Sequence, residues 1–308
     1  MVNLTIDFSA DIAPIRRLLD AREPGVLAII TGIDGPSYRP LGATMAVFGA
    51  SDWTGTLSSG CIEADIALHA MAALDSGETV TLRYGAGSPF VDIQLPCGGG
   101  LEVTLVPNPS SQCLSDIASR HEARRICALA VDPENSAMSV QEDGQTGWHE
   151  GKFVVRFQPE IQFFVFGKGP EAATFSGLVQ TSGYPNILLS GDEETLAFGA
   201  KAGSRTRHLT SAAFPADLHP DRFSAVVLFF HDHDWEPPIL HTALATEAFY
   251  VGAQGSRRAA EERRAELRAM GTSEPDIERL RGPIGLILSV RDARKLAVSV
   301  LAEILAES

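Results

Sequence analysis

Cysteine is scarce in this 308-residue chain. Only Cys61, Cys97, Cys113 and Cys127 occur, and no two of them form a C-x-x-C pair. That excludes a disulfide framework and a zinc site of the usual spacing. Long apolar runs are missing as well, since none approaches the roughly 18–20 residues needed to span a bilayer. The opening segment MVNLTIDFSADIAP carries acids where a secretory signal carries lysines, and it has no extended apolar core. A cytoplasmic protein is expected. There is no basic excess either: 39 acidic against 25 basic residues give a formal charge of −14 and a pI near 5.0. Nucleic acid and anionic membrane are thereby excluded as main partners.

What is present suffices for two hydrophobic cores, with 44% hydrophobic residues, and the length favours two domains. Residues 1–158 read as a mixed α/β domain. Ser9 caps a helix through about Arg22, the run VLAIIT at 26–31 is a buried strand, and GIDGPSYRPLG is a loop. ATMAVFG forms a second strand, ASDWTG a turn, and a helix starts near Cys61 and stops at Ser76-Gly77. Strands follow at TVTLRYG and LEVTLVP, then a helix near 112–124, the strand ICALAV and a hairpin-like segment around 140–157. Residues 159–308 switch to strand–helix alternation, which implies a Rossmann-type parallel sheet covered on both faces.

In that second half, Gly167, Gly169 and Ala172 form G-x-G-x-x-A between an apolar strand and a helix. Glycines there allow a tight turn and close approach of a pyrophosphate to the helix N-terminus. Pro170, however, removes one amide donor. The acid expected at the end of the next strand is replaced by Ser190, with Asp192 two residues later. His231, Asp232 and His233 follow the strand AVVLFF, at the edge where parallel sheets bind ligands, as a ligand, metal or proton-transfer cluster or a polar loop with Asp234 as a helix cap. Gly255, Ser256 and Arg257 open a further helix, which Ser256 can cap while free amides and the two arginines, Arg257 and Arg258, hold an anion; one crevice shared with Gly169 is expected.

The first half holds three glycine-rich loops. Ser58, Ser59, Gly60 and Cys61 precede a helix whose early acid is Glu63. Free amides at that helix start would favour a bound anion or a thiolate, while Glu63 would bond back and hold the loop. Arg39 lies in GPSYRP, and Cys97 and Gly98 open the third loop. Together, two thiols and an arginine suit a polar oxyanion or a soft-metal ligand.

These segments, in this order, resemble the XdhC/CoxI family of xanthine dehydrogenase accessory proteins. GPSYRPLGATMAV resembles the family's G-S-S-P-R-P-x-G-A-x-M stretch, GTLSSGCIEADI its G-S-x-S-G-G-C-x-E block, and PCGGGLEV its second cysteine block. FFVFGKGPEAA, FFHDHDWEPPIL, AFYVGAQGSRR and GPIGLILSVRDARKLAVSVLAEI resemble its glycine turn, H-D segment, Y-I-G-x-x-G-S-R-R and P-I-G-L blocks. The chain departs at Tyr38, at Ser59 in place of a glycine, at Ser190, and at Ile287 and Ser289.

The resemblance implies a binding and delivery protein for molybdenum cofactor (molybdopterin) that protects it while its terminal sulfur is installed. The implied partners are a molybdenum hydroxylase such as xanthine dehydrogenase and a sulfur-transferring desulfurase, with a homodimer as the assembly. NAD(P) would bind weakly. Two alternatives stay open: an NAD(P)-dependent oxidoreductase using the Rossmann half, which lacks a hydride-relay set such as Ser/Tyr-x-x-x-Lys, and a degenerate scaffold that binds only a partner protein.

Overall fold

Asp11 and Pro14 start the first helix. The Asp11 carboxylate accepts the Ala13 amide at 2.9 Å, and proline suits the first helical turn. This helix, α1 (Ala13–Asp20), therefore begins after the expected cap. Ser9 itself lies outside the described residues, which in this computed structural model are 10–88, 95, 98–231, 233–287 and 289–308. Two units divide the chain, Met1–Pro159 and Glu160–Ser308.

In the first unit, β1 (Val26–Asp34), β2 (Thr44–Gly49) and β3 (Asp52–Gly55) form a meander, followed by α2 (Glu63–Ser76), β4 (Val80–Gly85) and β5 (Gly100–Pro107). The strands make an antiparallel sheet ordered β3-β2-β1-β5-β4. Asp52–Gly55 is thus a strand and not the expected turn: Asp52 pairs with Gly49, leaving only Ala50 and Ser51 to reverse the chain. Central β1 explains its own unbroken apolar run. Val26, Ala28 and Ile30 pack with α2 on one face, while Leu27 and Ile29 enter a second core on the other. That core is closed by α1, by α3 (Ser111–Glu122) and by a second antiparallel sheet. Its strands are β6 (Cys127–Asp132), β7 (Ala137–Gln141), β8 (Gly147–His149) and β9 (Lys152–Phe157), ordered β7-β6-β9-β8. Cys113 and Cys127 are buried in it, and burial pushes the Cys127 thiol up to about 11.

The second unit contains β10 (Gln162–Gly167), α4 (Pro170–Thr181), β11 (Asn186–Ser190), α5 (Glu193–Lys201), β12 (Arg205–His208) and β13 (Ser224–Phe229). It continues through α6 (Glu236–Leu244), β14 (Tyr250–Ala253), α7 (Arg257–Ala269), α8 (Glu274–Arg279), β15 (Leu280–Arg281) and α9 (Ala293–Glu307). The strands pair in parallel in the order β12-β11-β10-β13-β14-β15. This is the doubly wound order third-second-first-fourth-fifth-sixth, with its switch point between β10 and β13. Alternation along β10 shows the two faces: Phe163 and Val165 pack with α4 and α9, Phe164 and Phe166 with α6. Asp234 does not cap α6; Trp235 holds that position, without a side-chain bond, after a short turn His233–Trp235.

Candidate functional site

Glu63 organises the loop before α2. It is 3% exposed, and its carboxylate accepts six hydrogen bonds. Oε1 takes the Thr56 hydroxyl at 2.5 Å and the amides of Leu57 and Ser58 at 2.9 and 2.8 Å. Oε2 takes the Ser58 hydroxyl at 2.6 Å and the amides of Gly60 and Ile62 at 2.9 and 3.2 Å. The remaining amides close internally, Ser59 onto Thr56 Oγ1 and Cys61 onto Ser58 Oγ. Burial opposes the charge on Glu63, but the Ser58 and Thr56 hydroxyls and the Ser58 amide outweigh it and lower the pKa to about 2.

This arrangement corrects the expectation of free amides for an anion. The backbone donors of residues 57–62 are all taken, so Ser58, Gly60 and Glu63 build the loop. What the loop presents outward is its tip, where Ser59, Gly60 and Cys61 are exposed. Ser59 has φ 63° and Gly60 φ 106°, so the serine that replaces a family glycine still occupies a left-handed position. Cys61 lies two residues before α2 rather than opening it.

Topology brings the three glycine loops to one end of the five-stranded sheet. Strands β1, β3 and β4 run toward that end, and β2 and β5 leave from it. Contact between the β1–β2 and β4–β5 connections is close: a Cβ added at Gly99 would clash with the Pro36 carbonyl. Arg83 ties the strand ends together, bonding Glu102 at 3.0 Å, Asp34 at 3.3 Å and the Ala86 carbonyl at 2.8 Å. Exposed Arg39 lines a cavity of about 290 Å³ that also reaches Thr56, at the base of the Glu63 loop. No acid pairs with the Arg39 guanidinium among the described residues. The Gly98 amide donates to Leu95, and Cys97 lies outside the described residues. Among those residues, no group of three or more His, Cys, Asp or Glu side chains converges as a metal site.

In the second unit, a crevice of about 480 Å³ opens at the ends of β10, β11 and β13, lined by Lys168, Gly169, Asp192, His231 and Trp235 among others. Gly167 is there for packing, since a Cβ would come within 2.5 Å of the Phe229 carbonyl. Gly169 has φ 91°, but its amide donates to Thr195 Oγ1 at 2.8 Å. Thr195 in turn bonds Asp192 through its hydroxyl and amide at 2.6 and 2.9 Å, which holds the Asp192 carboxyl below its ordinary range. Glu171, in the first turn of α4, places a carboxylate oxygen 3.4 Å from His231 Nε2. Ser190 is fully buried and accepts the Asp192 amide at 3.1 Å. Trp235 stacks on Phe230 and lies against Gly191. Asp232 lies outside the described residues, and of His233 only its place in the short turn is described.

Gly255, Ser256 and Arg257 line a different cavity from the one at Gly169, so the single shared crevice is not formed. Sequence reasoning passed over Thr195, Glu171 and Trp235. The first had a visible signal, a threonine three residues after the Asp192 cap; the second stood beside Pro170.

Residues 163–304 match the model of the XdhC Rossmann domain and residues 18–85 that of the XdhC and CoxI family. A relative from Escherichia coli (strain K12), the molybdenum cofactor insertion chaperone PaoD, is 35% identical across 91% of this chain and 82% of its own length. A probable xanthine dehydrogenase subunit of Bacillus subtilis (strain 168) is 23% identical, covering 94% of each. A Bacillus halodurans crystal structure described as a xanthine dehydrogenase shares the fold, with a TM-score of 0.77 at 21% identity over 97% of this chain and 95% of that one.

Proposed function

The chain belongs to the XdhC and CoxI family, and from that premise we propose that it binds molybdenum cofactor and delivers it to a molybdenum hydroxylase of the xanthine dehydrogenase type. The observation that carries this reading is the 35% identity, across nearly the whole chain, to a protein named for that task. The loop end of the five-stranded sheet is the proposed seat.

Its donor set suits the cargo, an anionic pterin phosphate bearing a metal held by sulfur. An exposed thiol at Cys61 matches a soft metal, and the Arg39 guanidinium, which no described acid pairs, matches phosphate. In this reading Glu63 and Ser58 hold the loop rigid so that Cys61 meets the cargo without an ordering cost. Cys97 and Gly98, on the neighbouring connection, complete the proposed contact set. An exposed seat also leaves the cargo open to a sulfur-transferring desulfurase before delivery.

The test is to purify the protein from cells that make molybdopterin and to quantify molybdenum and pterin per chain. Stoichiometric pterin is expected, with most of it lost in Cys61→Ser. Wild-type protein free of both metal and pterin would overturn the proposal.

A further inference from the structure

The cavity at Gly255 occupies about 460 Å³, between the start of α7 and the segment that leads from β15 to α9. Arg257 lines one wall and Arg291 the other, with Ser256 and Ser289 beside them. Both arginines are exposed, and neither has an acidic partner among the described residues. Among the described residues no acid lines the cavity, although the chain carries 39 of them. Two unpaired cations from segments more than thirty residues apart therefore converge on a space without a counter-charge.

Buried polar groups hold the near wall from behind. Arg263 is 3% exposed and bonds Glu236 and the Gln254 carbonyl, yet its Nη1 has no hydrogen-bond partner. That guanidinium packs behind the near wall: a Cβ added at Gly255 would come within 3.4 Å of it. Gln254, which lines the cavity, has a buried Oε1 without a partner.

The far wall is fixed in place. The Gly285 amide donates to Glu303 at 2.5 Å, and Glu303 also accepts the Tyr250 hydroxyl at 2.7 Å. Ile287 donates its amide to Ser299 Oγ at 2.7 Å. Its apolar part, including Ile287 and Leu296, offers a surface for a planar or hydrophobic body. On the near wall, Ser256 caps the 13-residue helix α7 by accepting the Ala259 amide at 3.1 Å.

We propose that this cavity binds an organic phosphate of nucleotide size, its phosphate held by Arg257 and Arg291 and its body seated on the apolar wall. The site is separate from the proposed cofactor seat, and its test uses no molybdenum cofactor, so either proposal can fail alone.

The experiment titrates the full chain calorimetrically with ADP, ribose 5-phosphate and inorganic phosphate. ADP is expected to bind more tightly than inorganic phosphate, with ribose 5-phosphate between them. An Arg257→Gln/Arg291→Gln variant should melt at the wild-type temperature and bind ADP at least about tenfold more weakly, consistent with the loss of two charge-assisted contacts. Lys168→Ala, in the other crevice, should leave ADP binding unchanged. Equal ADP affinity in wild type and the double variant, sensitivity to Lys168→Ala instead, or no heat from any probe up to about 10 mM, a range weaker than ordinary ligand sites, would each overturn the proposal.

Discussion

Both units place a glycine loop before a helix at one end of a sheet, yet the two loops do opposite things with their amides. In the first, the acid at the start of α2 gathers the loop's donors onto itself and leaves a thiol outside. In the second, Thr195 takes the Gly169 amide, and Glu171 sets a carboxylate in the first turn of α4. Closing the donors inward sharpens the first loop as a platform for Cys61. The same closure removes part of the phosphate cradle from the second. A glycine turn before a helix is thus an anion site only while its amides are unspoken for.

The largest expected effect tests the first half of this contrast. Glu63→Ala strips six hydrogen bonds from one carboxylate and strands the buried amides of Leu57 and Ser58, while Ile62 keeps its bond to Ser58 Oγ; the loss should cost at least about 3 kcal/mol. Acid should reveal the same dependence. The Glu63 pKa falls from 4.5 to about 2 on folding, so its contribution is complete above pH 4.5 and is lost as pH falls toward 2. At about 1.4 kcal/mol per unit, that loss is roughly 3 kcal/mol. Calorimetric melts between pH 7 and pH 2 should show it in wild type and largely abolish it in Glu63→Gln. Parallel acid profiles for the two proteins would mean that Glu63 is not the hub.

Next in size are changes at the loop tip. Cys61→Ser alters an exposed side chain, so stability should move by no more than about 0.5 kcal/mol, while most bound molybdenum is lost. Arg39→Ala should act more mildly, weakening pterin retention roughly fivefold, since an exposed charge-assisted contact is worth about 1 kcal/mol. Thermal melts and metal and pterin assays on the same preparations separate these outcomes. A lower melting temperature with unchanged cofactor content in Cys61→Ser would contradict the assignment of the thiol to the binding site.

Much of this architecture was legible in the sequence. The parallel strands of the second unit, buried on both faces, announce themselves as apolar runs such as FFVF and AVVLFF, and Ser256 and Gly77 mark a helix start and a helix end by chemistry alone. Glu63 was expected to hold its loop, but not to consume, together with Thr56 and Ser58, every amide that an anion would need. Spacing reveals which residues are near neighbours; it does not reveal who wins a shared donor. Asp52–Gly55 was missed because a four-residue edge strand with one glycine looks like a turn until its pairing with β2 is known. Arg257 and Arg291 sit far apart in sequence, and only the fold sets them on one cavity.

The smallest expected effect tests the second half of the contrast. NAD(H) should bind with a dissociation constant of roughly 0.1 mM or weaker, about −5.5 kcal/mol. Pro170 carries no amide hydrogen, the Gly169 amide is spent on Thr195, and Asp192 is engaged by Thr195 and lies 3.9 Å from Lys168. A pyrophosphate at this turn would also meet the Glu171 carboxylate, which remains on the crevice side with His231. Neutralising that one group gives the sharper measurement. Glu171→Gln removes a like charge from the phosphate position and should improve NAD(H) affinity by only a few-fold, about 1 kcal/mol, because the amides stay occupied. Calorimetry on both proteins checks this. Sub-micromolar affinity in wild type would show that the amides yield to phosphate after all, and would return the second unit to the oxidoreductases.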